Sequence, residues 1–471
     1  MGRKSRRKGP SVYQKVQITS LSSMGYGIGK TEDGKILFVE KAAPGDCLDV
    51  QIVGRKKKFS LGKIIQIHEA AKDRIKSNCE HADLCGGCKW QHIDYQEQLH
   101  WKSQQVKDAF EKIGQFQMEN IFHEILPSKE TFHYRNKMDF SFTNKKWLMK
   151  EEMNKNSENQ NGIGLHIPGR FDKVLQLNKC WLQEDLHNKM RKFIFDFAQN
   201  HKLTFFDLRK QEGLLRSLIF RNNRLGHWMV ILVVTNKTHP KLVALQKAMQ
   251  VQFPNIISFY TIENTKANDS IFDLEVDLNF GQEFLLETLG GLKFQIRPKS
   301  FFQVNVPQAE RLFDLALGMV DWSNVNLAYD IYCGTGTITL LAAKRCKKIV
   351  GIEAIEQAVE DARENARANQ VKNVFFEFGE ARKVLSEDFK TSYPNPDLII
   401  TDPPRAGMHP DVIQTICALK TPQLLYISCN PATQARDLYL MKDIYDIQKV
   451  QPIDMFPQTP HVENIAYLQL K

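Results

Sequence analysis

Several short stretches of this 471-residue chain carry side chains able to do chemistry. The apolar run "QLLYIS" breaks off into Ser428-Cys429-Asn430-Pro431, which leaves a thiol at the tip of a strand-like segment. "LIITDPPRAG" ends the same way on Asp402, and "KKIVGIE" ends on Glu353. "DIYCGTGTITLLAAK" turns through Gly334 and Gly336, and "PHVENIAYLQL" sets Glu463 just ahead of a last apolar run. Taken singly, each has a plain structural explanation. A cysteine is a small buried hydrophobe, an Asp ties a turn, a G-x-G is a tight turn, and Glu463 is a surface carboxylate. Taken together they supply a sulfur nucleophile, carboxylates that can move a proton, and a turn whose backbone can approach a ligand closely.

The elements that position these groups alternate from about residue 310 onward. The helix "AERLFDLALGMV" leads to the strand "NLAYDIY", the Gly-rich turn and the helix "ITLLAAKRC". The strand "KKIVGIE", the helix "EQAVEDARENARAN" and the strand "NVFFEFG" follow; then come "PDLIITDPP", a helix over about 410–419 and the strand "QLLYIS". Such alternation with apolar strands predicts an open parallel sheet covered on both faces. Ligands of such sheets lie outside the carboxyl ends of the strands, where Gly334, Gly336, Glu353, Asp402 and Cys429 all fall. Glu353, 17 residues past Gly336, is placed to accept hydrogen bonds from ribose hydroxyls. The third glycine of a dinucleotide fingerprint and a Walker lysine are both missing, which argues against NAD and a P-loop. The pattern resembles the S-adenosylmethionine motifs of Rossmann-like methyltransferases.

"DPPR" bears on the methyl acceptor. Methyltransferases acting on the adenine amino group carry an aromatic after the prolines, and here Arg405 stands in that place. A cysteine at the next strand end suggests carbon methylation. Uracil C5 is too weak a nucleophile to attack a methyl sulfonium, but a thiolate added at C6 makes C5 an enolate carbon. A base must then remove the C5 proton so that the thiol can leave.

Upstream, residues 12 to 68 hold short strand-like pieces separated by "GYGIGK", "TEDGK" and "APGD", which predicts a small barrel. Cys79-x5-Cys85-x2-Cys88 sets three thiols on a loop that Gly86-Gly87 can turn. A fourth ligand must come from elsewhere, and zinc or an iron–sulfur cluster both suit sulfur donors. The gap is not the C-x3-C-x2-C of radical enzymes. Residues 94–113 show helical spacing, and 122–295 read as mixed and strand-rich, with "KEEMNKNSENQNG" as a hairpin tip or mobile loop. The formal charge is +10, and residues 1–69 carry 14 Lys/Arg against 6 Asp/Glu. That clustering points to nucleic acid rather than membrane or an acidic metabolite. Nine scattered cysteines make no disulfide framework, and with no membrane-length apolar run or leader a cytoplasmic protein is expected.

These residues resemble the RNA uracil-C5 methyltransferases, in particular the branch that modifies 23S ribosomal RNA. "FFQVN", "DIYCGTGT", "DPPRAG", "SCNPAT" and "HVENIA" carry the resemblance, which covers nearly the whole chain. It implies a multidomain α/β protein: a basic tail over 1–11, an OB-fold (TRAM) β-barrel over 12–69, and a central α+β domain over 70–92 and 123–296. A helix over 93–122 then packs on a Rossmann-like S-adenosylmethionine methyltransferase domain over 297–471. The resemblance makes Cys429 the nucleophile and Glu463 the base. It assigns cofactor binding to Gln303, Tyr332, Gly334, Gly336, Glu353 and Asp402, with Glu380 of "GEA" where relatives often carry "GD". Cys333 is expected only to pack. The resemblance also implies Cys180 as the fourth ligand, with Cys79, Cys85 and Cys88, of an iron–sulfur cluster (4Fe-4S; zinc the alternative).

The expected partner is 23S ribosomal RNA, bound by a monomer, with the target uridine flipped out of its stack. Arg135, Asn136 and Lys137 of "HYRNKMDF" resemble a family motif and are candidates for RNA contact or for structure. Other readings are a transfer RNA enzyme, which usually lacks the barrel and cysteine cluster, and a non-catalytic RNA-binding metal module. A cytosine-C5 enzyme would carry its nucleophile as Pro-Cys, whereas here the order is Cys-Asn-Pro.

Overall fold

The computed structural model describes residues 11–31, 33–149, 152, 160–385, 389 and 392–471. Residues 1–10 of the basic tail and most of the polar stretch 150–162 lie outside the described residues. Strands β1 (Val12–Leu21), β2 (Gly27–Lys30), β3 (Ile36–Glu40), β4 (Cys47–Arg55) and β5 (Phe59–Glu69) form a closed barrel in the order β1-β2-β3-β5-β4. Alternation makes it possible: Val16, Ile18, Leu37, Val39, Leu48 and Val50 point inward, so the residues between them face out.

Helix α1 (Tyr95–Lys112) starts on Asp94, whose side chain accepts from the Gln96 N–H at 2.9 Å. Lys102 Nζ lies 2.6 Å from Asp454 Oδ1, and both side chains are fully buried. The Tyr95 hydroxyl donates to the other oxygen of Asp454 at 2.8 Å.

The central region comprises β6 (Lys137–Thr143), β7 (Gly162–Ile167), β8 (Arg170–Gln176), helix α2 (Leu186–Asn200), β9 (Leu215–Asn222), β10 (Trp228–Val234), helix α3 (Pro240–Gln252), β11 (Ile256–Glu263) and β12 (Asp277–Gly281). Its sheet runs β12-β11-β10-β9-β6-β7-β8. Every residue of β10, "WMVILVV", is buried because both faces are covered. Val230 and Leu232 pack with Ile194 of α2 and Leu245 of α3. Met229, Ile231 and Val233 join a cluster shared with the C-terminal half. The sequence reading had placed no individual helix here.

The hairpin β13 (Leu285–Leu289) and β14 (Leu292–Ile296) leads to α4 (Val306–Gly318), β15 (Leu327–Ile331), α5 (Thr337–Ala342), β16 (Lys348–Glu353), α6 (Glu356–Ala368), β17 (Val374–Phe378) and α7 (Ala381–Val384). Next come β18 (Leu398–Thr401), α8 (Pro410–Leu419), β19 (Gln423–Ser428), α9 (Pro431–Met441), β20 (Tyr445–Ile453) and β21 (Glu463–Leu470). The sheet order is β17-β16-β15-β18-β19-β21-β20. Pairing is parallel from β17 to β19, while β21 inserts antiparallel between β19 and β20. Strand order reverses at β15, with β16 on one side and β18 on the other, which is the switch point where such sheets bind ligands. Period-two alternation splits the two cores: Leu425 and Ile427 face one cluster, Leu424 and Tyr426 the other. Val106 and Phe110 of α1 pack into that second cluster. Among the described residues no helix is long and apolar enough to cross a membrane.

Candidate active site

The turn after β15 takes left-handed backbone at Tyr332 (φ 70°), Gly334 (φ 55°) and Gly336 (φ 79°) before α5 begins. A Cβ on Gly336 would lie 3.1 Å from Ala362 and 3.2 Å from Phe376, whereas over Gly334 there is open space. Glu353, closing β16, is fixed beside that space: Gly334 N–H donates to Oε2 at 3.0 Å and Ile355 N–H to Oε1 at 2.9 Å. Each carboxylate oxygen keeps a second lone pair for a ligand. Asp330, buried in β15, accepts from the Thr339 hydroxyl at 2.5 Å on Oδ2 and leaves Oδ1 without a partner among the described residues. Burial, then the Glu353 charge, pushes Asp330 up to about 7.

Sequence reasoning missed the large exposed apolar side chains at this edge. Phe301 is 70% exposed and Ile355 is 63% exposed. Their signal was position: Ile355 stands two residues past a strand-end carboxylate, and Phe301 opens "FFQVN". Gln303 is half-buried, and its carbonyl accepts from Asn136 Nδ2 at 3.0 Å while Asn136 N–H donates to the Val304 carbonyl at 2.8 Å. Asn136 is thus a staple between the central sheet and the Gln303 segment. Its neighbour Lys137 pairs with Asp139 at 3.2 Å. Tyr332 is half-buried, and burial raises its phenol. Cys333 is buried, and burial holds its thiol well above the usual range, as befits a packing residue. Glu380 is exposed and occupied by Arg382 at 2.7 Å and Lys383 at 3.1 Å, which hold it low. Its carboxylate is turned to its own helix.

At the other side of the switch, backbone register brings the thiol and the C-terminal carboxylate together. Ser428 pairs with Asn464 across β19 and β21, and the register carried one step outward sets Cys429 opposite Glu463. Residues opposed in this way have Cα atoms about 4.5–5.5 Å apart. Burial pushes Glu463 up to about 8, with Asp402 adding to the rise and Arg405 opposing it. Cys429 is half-buried and is pushed up to about 11 by burial, then by Glu463 and Asp402, again against Arg405. Burial and Asp330 raise Asp402 to about 7. The site thus gathers acidic groups that hold their protons, with one guanidinium favouring the anionic forms.

Two loops carry these groups as one body. The Arg405 carbonyl accepts from Asn430 Nδ2 at 2.9 Å and Thr433 Oγ1 at 3.2 Å. Arg436 donates to the Ala406 carbonyl at 2.9 Å, and Met408 N–H to Asp437 at 2.8 Å. Asn430 also caps α9 through the Ala432 N–H at 3.2 Å. The Arg405 guanidinium lies 2.9 Å from His461 Nδ1, and burial with nearby cations pushes that imidazole down to about 4. A neutral His461 can accept from Arg405 and steady it.

Of the other cysteines, Cys88 and Cys180 are buried and Cys79 and Cys85 half-buried. Burial raises all four thiols, Cys88 to about 12 and Cys180 to about 11, and neighbouring cysteines add to both. Asn188 holds Cys180 at both its N–H and its carbonyl, at 2.9 and 3.0 Å. His81 Nε2 accepts from Asn178 N–H at 2.9 Å, which draws the 79–88 loop against the Cys180 segment. Among the described residues, however, no three His, Cys, Asp or Glu side chains form a group able to hold a metal ion. The four thiols still lie close enough to feel one another's charge, and Cys88 and Cys180 share one core cluster with Leu177 and Leu182.

Comparison with known proteins agrees with this layout. The TRAM domain matches residues 12–65, and the tRNA (Uracil-5-)-methyltransferase family matches residues 274–471. A Bacteroides thetaiotaomicron protein named as an RNA methyltransferase is 41% identical over 456 residues, covering 96% of this chain and 100% of its own. A Porphyromonas gingivalis protein of the same description is 42% identical over 462 residues, covering 96% and 99%. Among solved structures, the Pyrococcus abyssi tRNA (uracil-54, C5)-methyltransferase in complex with S-adenosyl-L-homocysteine is 28% identical, with a TM-score of 0.76 over 96% of this chain and 100% of that one. With a TRAM barrel ahead of a matching catalytic sheet and relatives aligned end to end, the chain belongs to the RNA uracil-C5 methyltransferase family.

Proposed function

We propose that the protein methylates C5 of a uridine in 23S ribosomal RNA through a covalent Cys429–C6 adduct. The observation that carries this reading is that Cys429 and Glu463 stand one step beyond the Ser428–Asn464 pair and that Glu463, Asp402 and Arg405 all act electrostatically on the thiol. The open space over Gly334, the fixed Glu353 carboxylate and the unpartnered Asp330 Oδ1 fit S-adenosylmethionine. That cofactor supplies an electrophilic methyl group when bound. The Cys429 thiol loses its proton to water, its sulfur bonds to uracil C6, and the C5=C6 electron pair shifts to C5, which takes the methyl. Glu463, as the carboxylate, then removes the C5 proton; the C5–H pair restores C5=C6, the S–C6 bond breaks, and the thiolate leaves with the pair of that broken bond. Arg405 favours both anions these steps require.

Cys79, Cys85, Cys88 and Cys180 would hold an iron–sulfur cluster, with zinc as the alternative. Four thiols are the right donor chemistry, and Arg191, 2% exposed with Nη1 unpartnered, leaves a buried positive charge beside Cys180. The methyl transfer needs no electron from such a group, so its role here is to hold the loop. Transfer RNA is the second substrate reading, favoured by the full-length likeness to the Pyrococcus enzyme. Mapping 5-methyluridine in ribosomal and transfer RNA from a deletion strain tests both. Loss at a 23S position supports the first, loss in transfer RNA the second, and loss in neither refutes the assignment.

A further inference from the structure

A cavity of about 290 Å³ opens where the central sheet meets α4. None of the groups given a part in methyl transfer lines it. Asn136, which holds the Gln303 carbonyl, and Asn305, which caps α4, both line the cavity. The volume is at the low end of the roughly 300–1,000 Å³ found for small-ligand pockets, which suits one nucleotide and excludes a duplex.

The charges around it are unevenly satisfied. Arg224 meets Glu287 at 3.3 Å and Glu310 at 3.0 Å. Lys129, Arg135 and Arg311 line the same cavity, and among the described residues none of them has an ion-pair partner. Arg311 is nonetheless aimed, donating through Nη1 to the Pro127 carbonyl at 2.6 Å and Gln308 Oε1 at 2.8 Å. Glu130 and Glu184 line the cavity too, and neither carboxylate has a hydrogen-bond or ion-pair partner among the described residues. Unpaired cations beside a free acceptor match a ligand that is anionic on one side and carries N–H donors on the other. A nucleotide has that polarity: phosphate for Lys and Arg, and base-edge N–H groups for a carboxylate.

We propose that this cavity receives one nucleotide of the RNA substrate other than the uridine that is methylated. Its phosphate meets Lys129, Arg135 and Arg311, and its base edge meets Glu184. The inference rests on the RNA methyltransferase reading and adds a second site of recognition to it. Single-stranded RNA read through splayed bases commonly uses more than one such pocket.

The test uses the full chain. A short random-sequence single-stranded RNA carrying 4-thiouridine is photo-crosslinked to it, and crosslinked peptides are identified by mass spectrometry. Crosslinks to the 128–136 segment or to the Glu184 peptide are expected. In anisotropy titrations with the same RNA, Lys129→Ala and Arg135→Ala should each flatten the slope of log affinity against log salt by about 0.7. Glu184→Gln should weaken binding about tenfold with the slope unchanged. With cellular RNA as substrate, all three should raise KM for RNA far more than they lower kcat. Unchanged slopes and KM in folded variants, with crosslinks confined to the barrel and the Cys429 loop, would overturn the cavity assignment while leaving the enzyme reading intact. A wild-type protein that forms no 5-methyluridine in any RNA would overturn the enzyme reading itself.

Discussion

Glu463→Gln removes the carboxylate that pairs with Cys429, and its effects can be worked from the site. Glu463 is pushed up to about 8 by burial and by Asp402, against about 4.3 in an unfolded chain. A raised carboxyl pKa means that the folded protein holds the proton more tightly. Its stabilising share is therefore complete below the unfolded value and is lost as pH rises towards 8. For a fully sealed group that share is about 5 kcal/mol; Glu463 retains some solvent exposure, so screening brings the expected figure to about 2–3 kcal/mol. Glutamine does not titrate. The variant's melting temperature relative to wild type should rise steadily between pH 5 and 8 and level off above that. The same variant cannot take the C5 proton, so methylated RNA should stay bound through Cys429. Incubation with RNA and S-adenosylmethionine, then denaturing electrophoresis, should show a slow-migrating protein–RNA band that wild type lacks. A melting difference that does not change with pH, together with no adduct, would refute both the buried carboxylate and its role as base.

Cys429→Ala should abolish methylation while S-adenosylmethionine binding, read by calorimetry, stays within about twofold, because the Gly334 and Glu353 cradle ends β15 and β16, separated by β18 from the β19 end that carries the thiol. In wild type, kcat/KM should climb from pH 7 to 9, as Glu463 ionises near 8 and Cys429 only near 11; a flat profile would count against both groups. Lys102→Ala leaves Asp454 buried and unpaired, which should cost about 3–5 kcal/mol in denaturant unfolding; a loss under 1 kcal/mol would mean the pair is not sealed. Anaerobically purified protein should contain iron and sulfide that Cys88→Ser and Cys180→Ser lose together, and zinc without sulfide would identify the alternative metal.

The strand-end groups were legible in sequence because they sit where an apolar run stops: Cys429 after "YIS", Asp402 after "LIIT", Glu353 after "VGI". The family and the fold class followed from them, and the closed barrel and doubly covered sheet agree. The partnership of Cys429 with Glu463 was not legible as geometry. It depends on β21 slipping between β19 and β20, a non-local register that short-range periodicity does not encode. Asp330 was passed over because a mid-strand Asp in "AYDIY" looks like any other; only its burial and its unpartnered oxygen single it out. Glu380 shows the converse. A motif position assigns it to the cofactor, and nothing in the sequence signals that its carboxylate is engaged by Arg382 and Lys383, two and three residues on. The cavity at α4 was invisible for another reason: its cations come from separate segments that carry no shared spacing.

The Lys102–Asp454 pair joins residues 352 positions apart, and that separation has a kinetic meaning during synthesis. At about 5–20 residues per second, α1 leaves the ribosome roughly 20–70 s before Asp454 exists to neutralise Lys102. Through that interval Val106 and Phe110 have no β20 or β21 to pack with. The newborn helix therefore keeps an exposed apolar face, and an unmatched Lys102, until the last strands are made. The candidate site also closes late, since Glu463 arrives on β21, the strand that inserts between β19 and β20.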